Sequence, residues 1–314
     1  MLLLPLVIGM AFEREIYDGG TVCTVGMFDG VHRGHQLILR RLREVAAERG
    51  LRPVVVTFDR HPRVVLGHTD GGFRLLTTGR ERTGLFARYG MCHIGDVETV
   101  QFTPEVARMS ACEFYERELR DGLNVKVLLL GYDNMFGNKR RNDFEQLMEM
   151  PGLEVVRTEA LVYDGVEISS TQIRNRLALG DIASANAMLG HCYSVSGRVV
   201  HGKGIGRTIQ FPTANVEVDD PMKAMPKAGV YAVRVSIDAE ELCGIANWGG
   251  RPTVGATEPT LEVHVIDYDG DLYGRQVTVW FVERLRDVVA FDSLEALSRQ
   301  LKADRDVAMG LLRI

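Results

Sequence analysis

A chain of 314 residues has room for two domains. Its composition, 46% apolar and 25% charged, is that of a soluble globular protein and excludes a disordered or low-complexity chain. A formal net charge of −5 excludes a global basic field for nucleic acid, so any polyanion must be held by local groups.

The start, "MLLLPLVIGMAF", is apolar, but it contains Pro5, lacks a basic flank and is too short to span a bilayer. It reads as an extended or peripheral segment, with no membrane partner expected. "TVCTVG" (21–26) is a short β-rich run, and "HQLILRRLREVAAERG" (35–50) a helix with Leu37, Ile38, Leu42, Val45 and Ala46 on one face and Gly50 ending it. "PVVVTF" (53–58), "VKVLLLG" (125–131) and, more weakly, "LEVVRT" (153–158) are nearly continuous apolar runs, as expected of strands covered on both faces. Helical stretches separate them, notably "TPEVARMSACEFYERELRDG" (103–122). This βαβ pattern predicts a parallel, doubly wound sheet with ligands outside the carboxyl ends of its strands.

After the helical "DIASANAML" the period changes, near "MLGHCY" (188–193). "GVYAVRVSID" (229–238), "TLEVHVID" (260–267) and "QVTVWFVERL" (276–285) alternate, the first with Tyr231, Val233, Val235 and Ile237 on one face. "DYDGDLYG" (267–274) carries an Asp-Gly hairpin signal, and "SLEALSRQLKADRDVA" (293–308) is a final helix capped by Ser293. An antiparallel barrel or sandwich is expected. The expected division is 1–185 and 186–314. Cys23, Cys92, Cys112, Cys192 and Cys243 are scattered without a CxxC pair, which fits a reducing cytoplasm and no zinc site.

Four stretches carry chemistry. In "VGMFDGVHRGHQ" (25–36) a strand, a turn and a helix start bring free N–H groups and the positive dipole end to a strand's carboxyl end, an anion site to which His32 and His35 can donate. Taken alone, H-x-x-H also fits a solvated helix start. "ISSTQIRNRLALG" (168–180) offers a second helix start, with Ser169 and Gln172 at capping-box spacing, hydroxyls at Ser170 and Thr171, and Gly180 as C-cap. Arg174 and Arg176 lie near its positive dipole end, which is unfavourable unless an anion binds. "HGKGIGRTIQFPTANVEV" (201–218) is neither a Walker loop nor a dinucleotide fingerprint; its glycines fit a phosphate wrap or a plain loop. Thr213 and Asn215, two apart on an extended segment, present neutral oxygens suited to Mg²⁺. In "LEVHV" (261–265) Glu262 and His264 face away from Leu261, Val263 and Val265, so Glu262 is either ordinary solvent-face polarity or a general base.

"FDGVHRGH", "TFDRHPR", "ISSTQIR", "GR…FPTAN", "GGRPTVG" and "LEVHVIDYDGDLYG", in this order, resemble the bacterial bifunctional riboflavin kinase/FAD synthetase family over nearly the whole chain. The resemblance implies an N-terminal Rossmann-like nucleotidyltransferase domain and a C-terminal antiparallel six-stranded β-barrel flavokinase domain. It implies phosphorylation of riboflavin to FMN, then adenylylation of FMN to FAD, with ATP and Mg²⁺ used in both. It assigns His32 and His35 to ATP phosphates, with Gly26, Phe28, Asp29 and Gly30 forming their turn. Ser169, Ser170, Thr171 and Arg174 become a second phosphate motif, and Asp133 part of the flavin side. In the barrel it assigns Thr213 and Asn215 to Mg²⁺–ATP and Glu262 to proton removal. It makes the loop with Gly202, Lys203, Gly206 and Arg207 the flap over the nucleotide and assigns Pro212 to the same binding site. The chain departs from the family pattern at Asn134 and Met135, at Gln210 and at Trp248. The alternative is a kinase with a degenerate adenylyltransferase domain. Small molecules are the only partners expected, and the sequence leaves self-association open.

Overall fold

The computed structural model describes residues 18–69, 72–93, 95–132, 141–202, 211–238, 240–251 and 256–312. The chain divides into two compact units, neither continuous in sequence. One is Met1–Met27, Leu37–His68 and Ala87–Glu159; the other is Phe28–Gln36, Thr69–Phe86 and Ala160–Ile314.

In chain order the elements up to residue 167 are β1 (Thr21–Val25), α1 (Arg33–Arg49), β2 (Arg52–Phe58), α2 (Pro62–Val65), α3 (Gly79–Arg88), β3 (Val97–Val100), α4 (Pro104–Arg108), α5 (Ala111–Phe114), α6 (Asp121–Leu123), β4 (Val125–Leu130), α7 (Arg141–Met148), β5 (Glu154–Arg157) and the short pair β6 (Val162–Tyr163) and β7 (Val166–Glu167). The first unit is built on a parallel sheet of order β3-β2-β1-β4-β5. Its central strands lack polar alternation because both faces are covered: all five residues of β1 are buried. Cys23, Val25, Val54, Val56, Leu128 and Leu130 meet Phe114, Tyr115 and Leu119 in the core.

Two expectations need correction here. The 103–122 stretch is helical but not one helix. Met109 is extended, and a new helix starts where the Ser110 hydroxyl accepts from the Glu113 N–H at 3.1 Å and the Glu113 carboxylate accepts from the Ser110 N–H at 2.8 Å. A π-helical turn, Tyr115–Arg120, follows. In α1 the buried residues are Ile38, Leu39, Leu42, Val45 and Ala46; Leu39 takes the place expected of Leu37, which lies at the edge of the stripe.

The second unit adds α8 (Ser170–Leu179), α9 (Ile182–Leu189), β8 (Tyr193–Val200), β9 (Ala214–Val218), β10 (Gly229–Ile237), β11 (Glu240–Arg251), β12 (Ala256–Val265), β13 (Gln276–Arg286) and α10 (Leu294–Leu312). Its six long strands close an antiparallel barrel of order β10-β11-β12-β9-β8-β13. Tyr231, Val233, Val235 and Ile237 point inward as expected, with Leu261, Val263, Val265, Val277, Val279 and Phe281. Ile173, Leu177, Ile182, Ala185, Met188 and Leu189 of α8 and α9 join the same core. Ser293 caps α10, accepting from Ala296 N–H at 3.1 Å, and α10 runs four residues beyond the expected end. The Asp-Gly signal at 267–274 does not make a hairpin: β12 pairs β11 and β9, and β13 pairs β10 and β8, so the segment crosses between strands that are not neighbours. A turn dipeptide reports a local reversal and carries no information about which strands close the barrel.

Candidate functional site

The first site lies in the second unit, where Phe28–Gln36, 73–81, 168–174 and 189–191 meet. The turn after β1 is strained: Phe28, Gly30 and Val31 have φ of 51°, 86° and 38°. A buried, β-branched Val in the left-handed region is costly, on the order of 1–3 kcal/mol, and such strain clusters at functional turns. Glycine suits position 30 because its φ of 86° strains any other side chain, and a Cβ there would also press on Leu76, 2.8 Å from its Cδ1. The turn delivers the start of α1. His32 Nδ1 accepts the His35 backbone N–H at 3.4 Å, which places the His32 proton on Nε2. The two imidazoles stack 3.6 Å apart, and Phe28 meets His35 edge-on at 5.0 Å. His35 Nδ1 is buried without a partner among the described residues.

Asp29 braces this turn. Its carboxylate accepts from Leu76 N (3.1 Å), Thr77 N (2.9 Å) and the Thr77 hydroxyl (3.2 Å), and it pairs with Arg174. Gly30 N donates to Thr77 Oγ1 at 3.0 Å, and the Ser170 hydroxyl donates to the Asp29 carbonyl at 2.8 Å. Arg174 also donates to the Arg74 carbonyl at 2.6 Å and lies over the Phe73 ring. The anion that the α8 start needs beside its cation is therefore supplied partly from within the chain, by Asp29. Ser169 caps α8 through the Gln172 N–H at 3.3 Å, and Thr171 is exposed on the first turn. Arg176 pairs with Asp181 at 3.1 Å. Gly26 belongs to the first unit, where its N–H donates to Val56 O at 3.0 Å and ends the β1 ladder.

Both imidazoles are neutral near pH 7. Burial lowers His32 from its ordinary value of 6.5 to about 4, against the opposing pull of Asp29. Burial, then the neighbouring His32, puts His35 well below its ordinary value. The pair therefore offers N–H donors rather than fixed cations. A consequence is a pH-dependent fold. Between pH 6.5 and about 4 the unfolded chain binds more protons than the folded one, so stability rises with pH through that window and is lost on acidification. For His32 alone the loss from pH 7 to pH 5 is about 2 kcal/mol. Urea midpoints at the two pH values measure it; in His32→Asn the difference shrinks, and an undiminished difference would assign the effect elsewhere.

The second site is on the outer face of the barrel. Ala214, Val216 and Val218 of β9 pack on the core, which turns Asn215 outward. The register sets Asn215 directly opposite Glu262 on β12, and Glu262 directly opposite Asn247 on β11. Directly opposed residues share a face with Cβ atoms roughly 4.5–5.5 Å apart. Asn215, Glu262 and Asn247 thus form one polar row across three strands. His264 Nδ1 lies 2.8 Å from the Pro212 carbonyl and its ring 4.9 Å from Phe211, so it holds the segment that leads to Thr213. Burial lowers the His264 pKa, so it holds that segment as a neutral donor. Gly202 lies against the Asn215 amide: a Cβ there would sit 1.9 Å from Nδ2. Trp248 faces the other way and packs against the barrel core.

Lys203, Gly206, Arg207 and Gln210 lie outside the described residues, as do Asp133, Asn134, Met135 and the apolar start. Sequence reasoning missed Asn247. Its signal was present in "ANWGG", but Gly244, Gly249 and Gly250 interrupt the β11 pattern, so the strand and its facing went unread. Among the described residues there is no cluster of three His, Cys, Asp or Glu side chains able to hold a metal ion, and no helix long and apolar enough to cross a membrane.

The family model for FAD synthetase matches residues 15–172 and that for riboflavin kinase residues 189–312. The bifunctional riboflavin kinase/FMN adenylyltransferase of Pseudomonas fluorescens is 41% identical over 93% of both chains, and that of Escherichia coli K12 40% identical over 96% of both. The Bacillus subtilis enzyme of the same name is 31% identical over 92% of each. A crystal structure described as a macrolide-efflux protein from Streptococcus pneumoniae has the same fold, with a TM-score of 0.83 and 32% identity over 94% of this chain and 96% of its own. With both family models matched in one chain and the curated relatives aligned over nearly their full length, the kinase-only alternative is not favoured, and the chain belongs to the family of bifunctional riboflavin kinase/FMN adenylyltransferases.

Proposed function

We propose that the chain makes FAD from riboflavin in two ATP-dependent transfers, with residues 186–314 carrying the first and 1–185 the second. In the first, Glu262 takes the proton of the ribityl 5′-hydroxyl as that oxygen attacks the γ-phosphorus of ATP, giving FMN and ADP. Asn247 and Asn215 flank the carboxylate and hold the hydroxyl and the nucleotide phosphates in line. The Thr213 hydroxyl and Asn215 amide oxygen are hard donors that fit Mg²⁺ together with ATP phosphates, and Mg²⁺ bound there neutralises phosphate charge. By the family pattern Gly202, Lys203, Gly206 and Arg207 contact the nucleotide, and His264 fixes Pro212 just ahead of Thr213.

In the second transfer an FMN phosphate oxygen attacks the α-phosphorus of ATP and pyrophosphate leaves. His32 and His35 donate to the departing phosphates at the start of α1, and the start of α8 with Arg174 supports them. Asp29 shapes the turn and orients Arg174 rather than touching phosphate. The observation that carries this reading is the coexistence in one chain of a strained turn presenting two neutral imidazoles at a helix start and a Glu262 row on a separate barrel face.

The test is a time course of riboflavin with Mg²⁺–ATP, separated into riboflavin, FMN and FAD. FMN is expected to rise and then convert to FAD. FMN accumulating with no FAD would contradict the second activity.

A further inference from the structure

We propose that Lys223, on the barrel connection between β9 and β10, is a positioning residue for adenylyl transfer. Lys223 is buried, at 3% exposure. Its Nζ donates to the Leu76 carbonyl and to Glu81 Oε2, each at 2.6 Å, and lies 4.7 Å from the centre of the Tyr193 ring. The backbone repeats the connection: Leu75 N donates to Met222 O, and Ala224 N to Leu75 O, both at 2.7 Å. Glu81 is tied further, accepting from Thr78 N at 2.8 Å and from Ser196 N of β8 at 3.2 Å.

What this fastens is the strip 75–81, whose next contacts are catalytic in consequence. Leu76 N and Thr77 N hold the Asp29 carboxylate, Thr77 Oγ1 holds Gly30 N, and Asp29 holds Arg174. The path from Lys223 to the phosphate turn therefore runs through two residues, Leu76 and Asp29, all within one compact unit. A buried ammonium held by a carboxylate and a carbonyl fixes that strip more tightly than apolar packing alone, because breaking the Glu81 contact leaves buried charges unpaired and breaking the Leu76 contact leaves a buried donor unsatisfied. The kinase row on β9, β11 and β12 shares none of these contacts. The barrel thus does two jobs: it carries the phosphorylation site on one face and braces the adenylylation turn through Lys223.

The proposal rests on assigning the Phe28–His35 turn and Arg174 to adenylyl transfer, so the experiment includes Arg174→Ala. Full-length Lys223→Met is assayed for FMN adenylylation and, separately, for riboflavin phosphorylation, with hydrogen exchange followed over residues 73–81. The expected result is a fall in kcat/KM for FMN adenylylation of between about 10- and about 100-fold, carried mainly by a raised KM for ATP, since small misplacements of this kind cost up to about 10²-fold. Phosphorylation stays near wild type, and exchange over 73–81 quickens. If the lone carboxylate prevents K223M from folding, the double variant E81Q/K223M, which leaves no unpaired buried charge, is judged by the same pattern. Adenylylation unchanged in K223M, or both activities falling in proportion, overturns the proposal. Adenylylation that survives R174A overturns the site assignment and the proposal with it.

Discussion

Glu262→Gln is expected to lower riboflavin phosphorylation by about 10²–10⁴-fold, the usual contribution of a general base. The ribityl hydroxyl is a weak nucleophile at neutral pH, and the amide keeps the size of Glu262 while losing the ability to take its proton. Glu262 is flanked on one side by Asn215 and on the other by Asn247, groups that orient but do not accept a proton at this pH. The loss should appear in kcat with riboflavin binding retained, because the interaction is made in the transition state. FAD formation from supplied FMN should be unchanged. A Gln variant that phosphorylates at near-normal rate would reduce Glu262 to an outward polar residue on a barrel strand.

The complementary variant is His35→Ala. The His35 ring packs against Phe28 and His32, and its buried Nδ1 has no partner among the described residues. A neutral imidazole so placed costs little reorganisation when it donates to a phosphate that gains charge on leaving. Removing one such donor costs on the order of 10²–10³-fold in rate. Conversion of FMN to FAD should fall by that order while riboflavin phosphorylation persists, and the persistence shows that the chain has folded. A conversion rate close to wild type would leave His35 as packing for the turn.

Much of this was legible in the sequence, and the remainder was hidden for a physical reason. The nearly continuous apolar runs of β2 and β4 announce strands covered on both faces, and the alternation in β10, β12 and β13 announces a barrel wall. His32, His35, Asn215 and Glu262 could be singled out because each lies in a short pattern whose geometry is local. What stayed hidden depends on residues far apart in the chain. Arg174 looked like a cation waiting for an external anion until folding brought Asp29 to it across 145 positions. Glu81 and Lys223 are 142 positions apart, and neither residue signals a buried pair on its own. Asn247 was lost because glycines mask the facing of β11, and the 267–274 turn was misread because strand order is a property of the closed barrel.

The most direct test of two separate chemistries in one chain assays both reactions in both variants, each from its own supplied substrate. The account predicts a crossed pattern: Glu262→Gln loses riboflavin phosphorylation and keeps FMN adenylylation, and His35→Ala does the reverse. Either variant losing both activities together while remaining folded, or neither losing its assigned one, would contradict it.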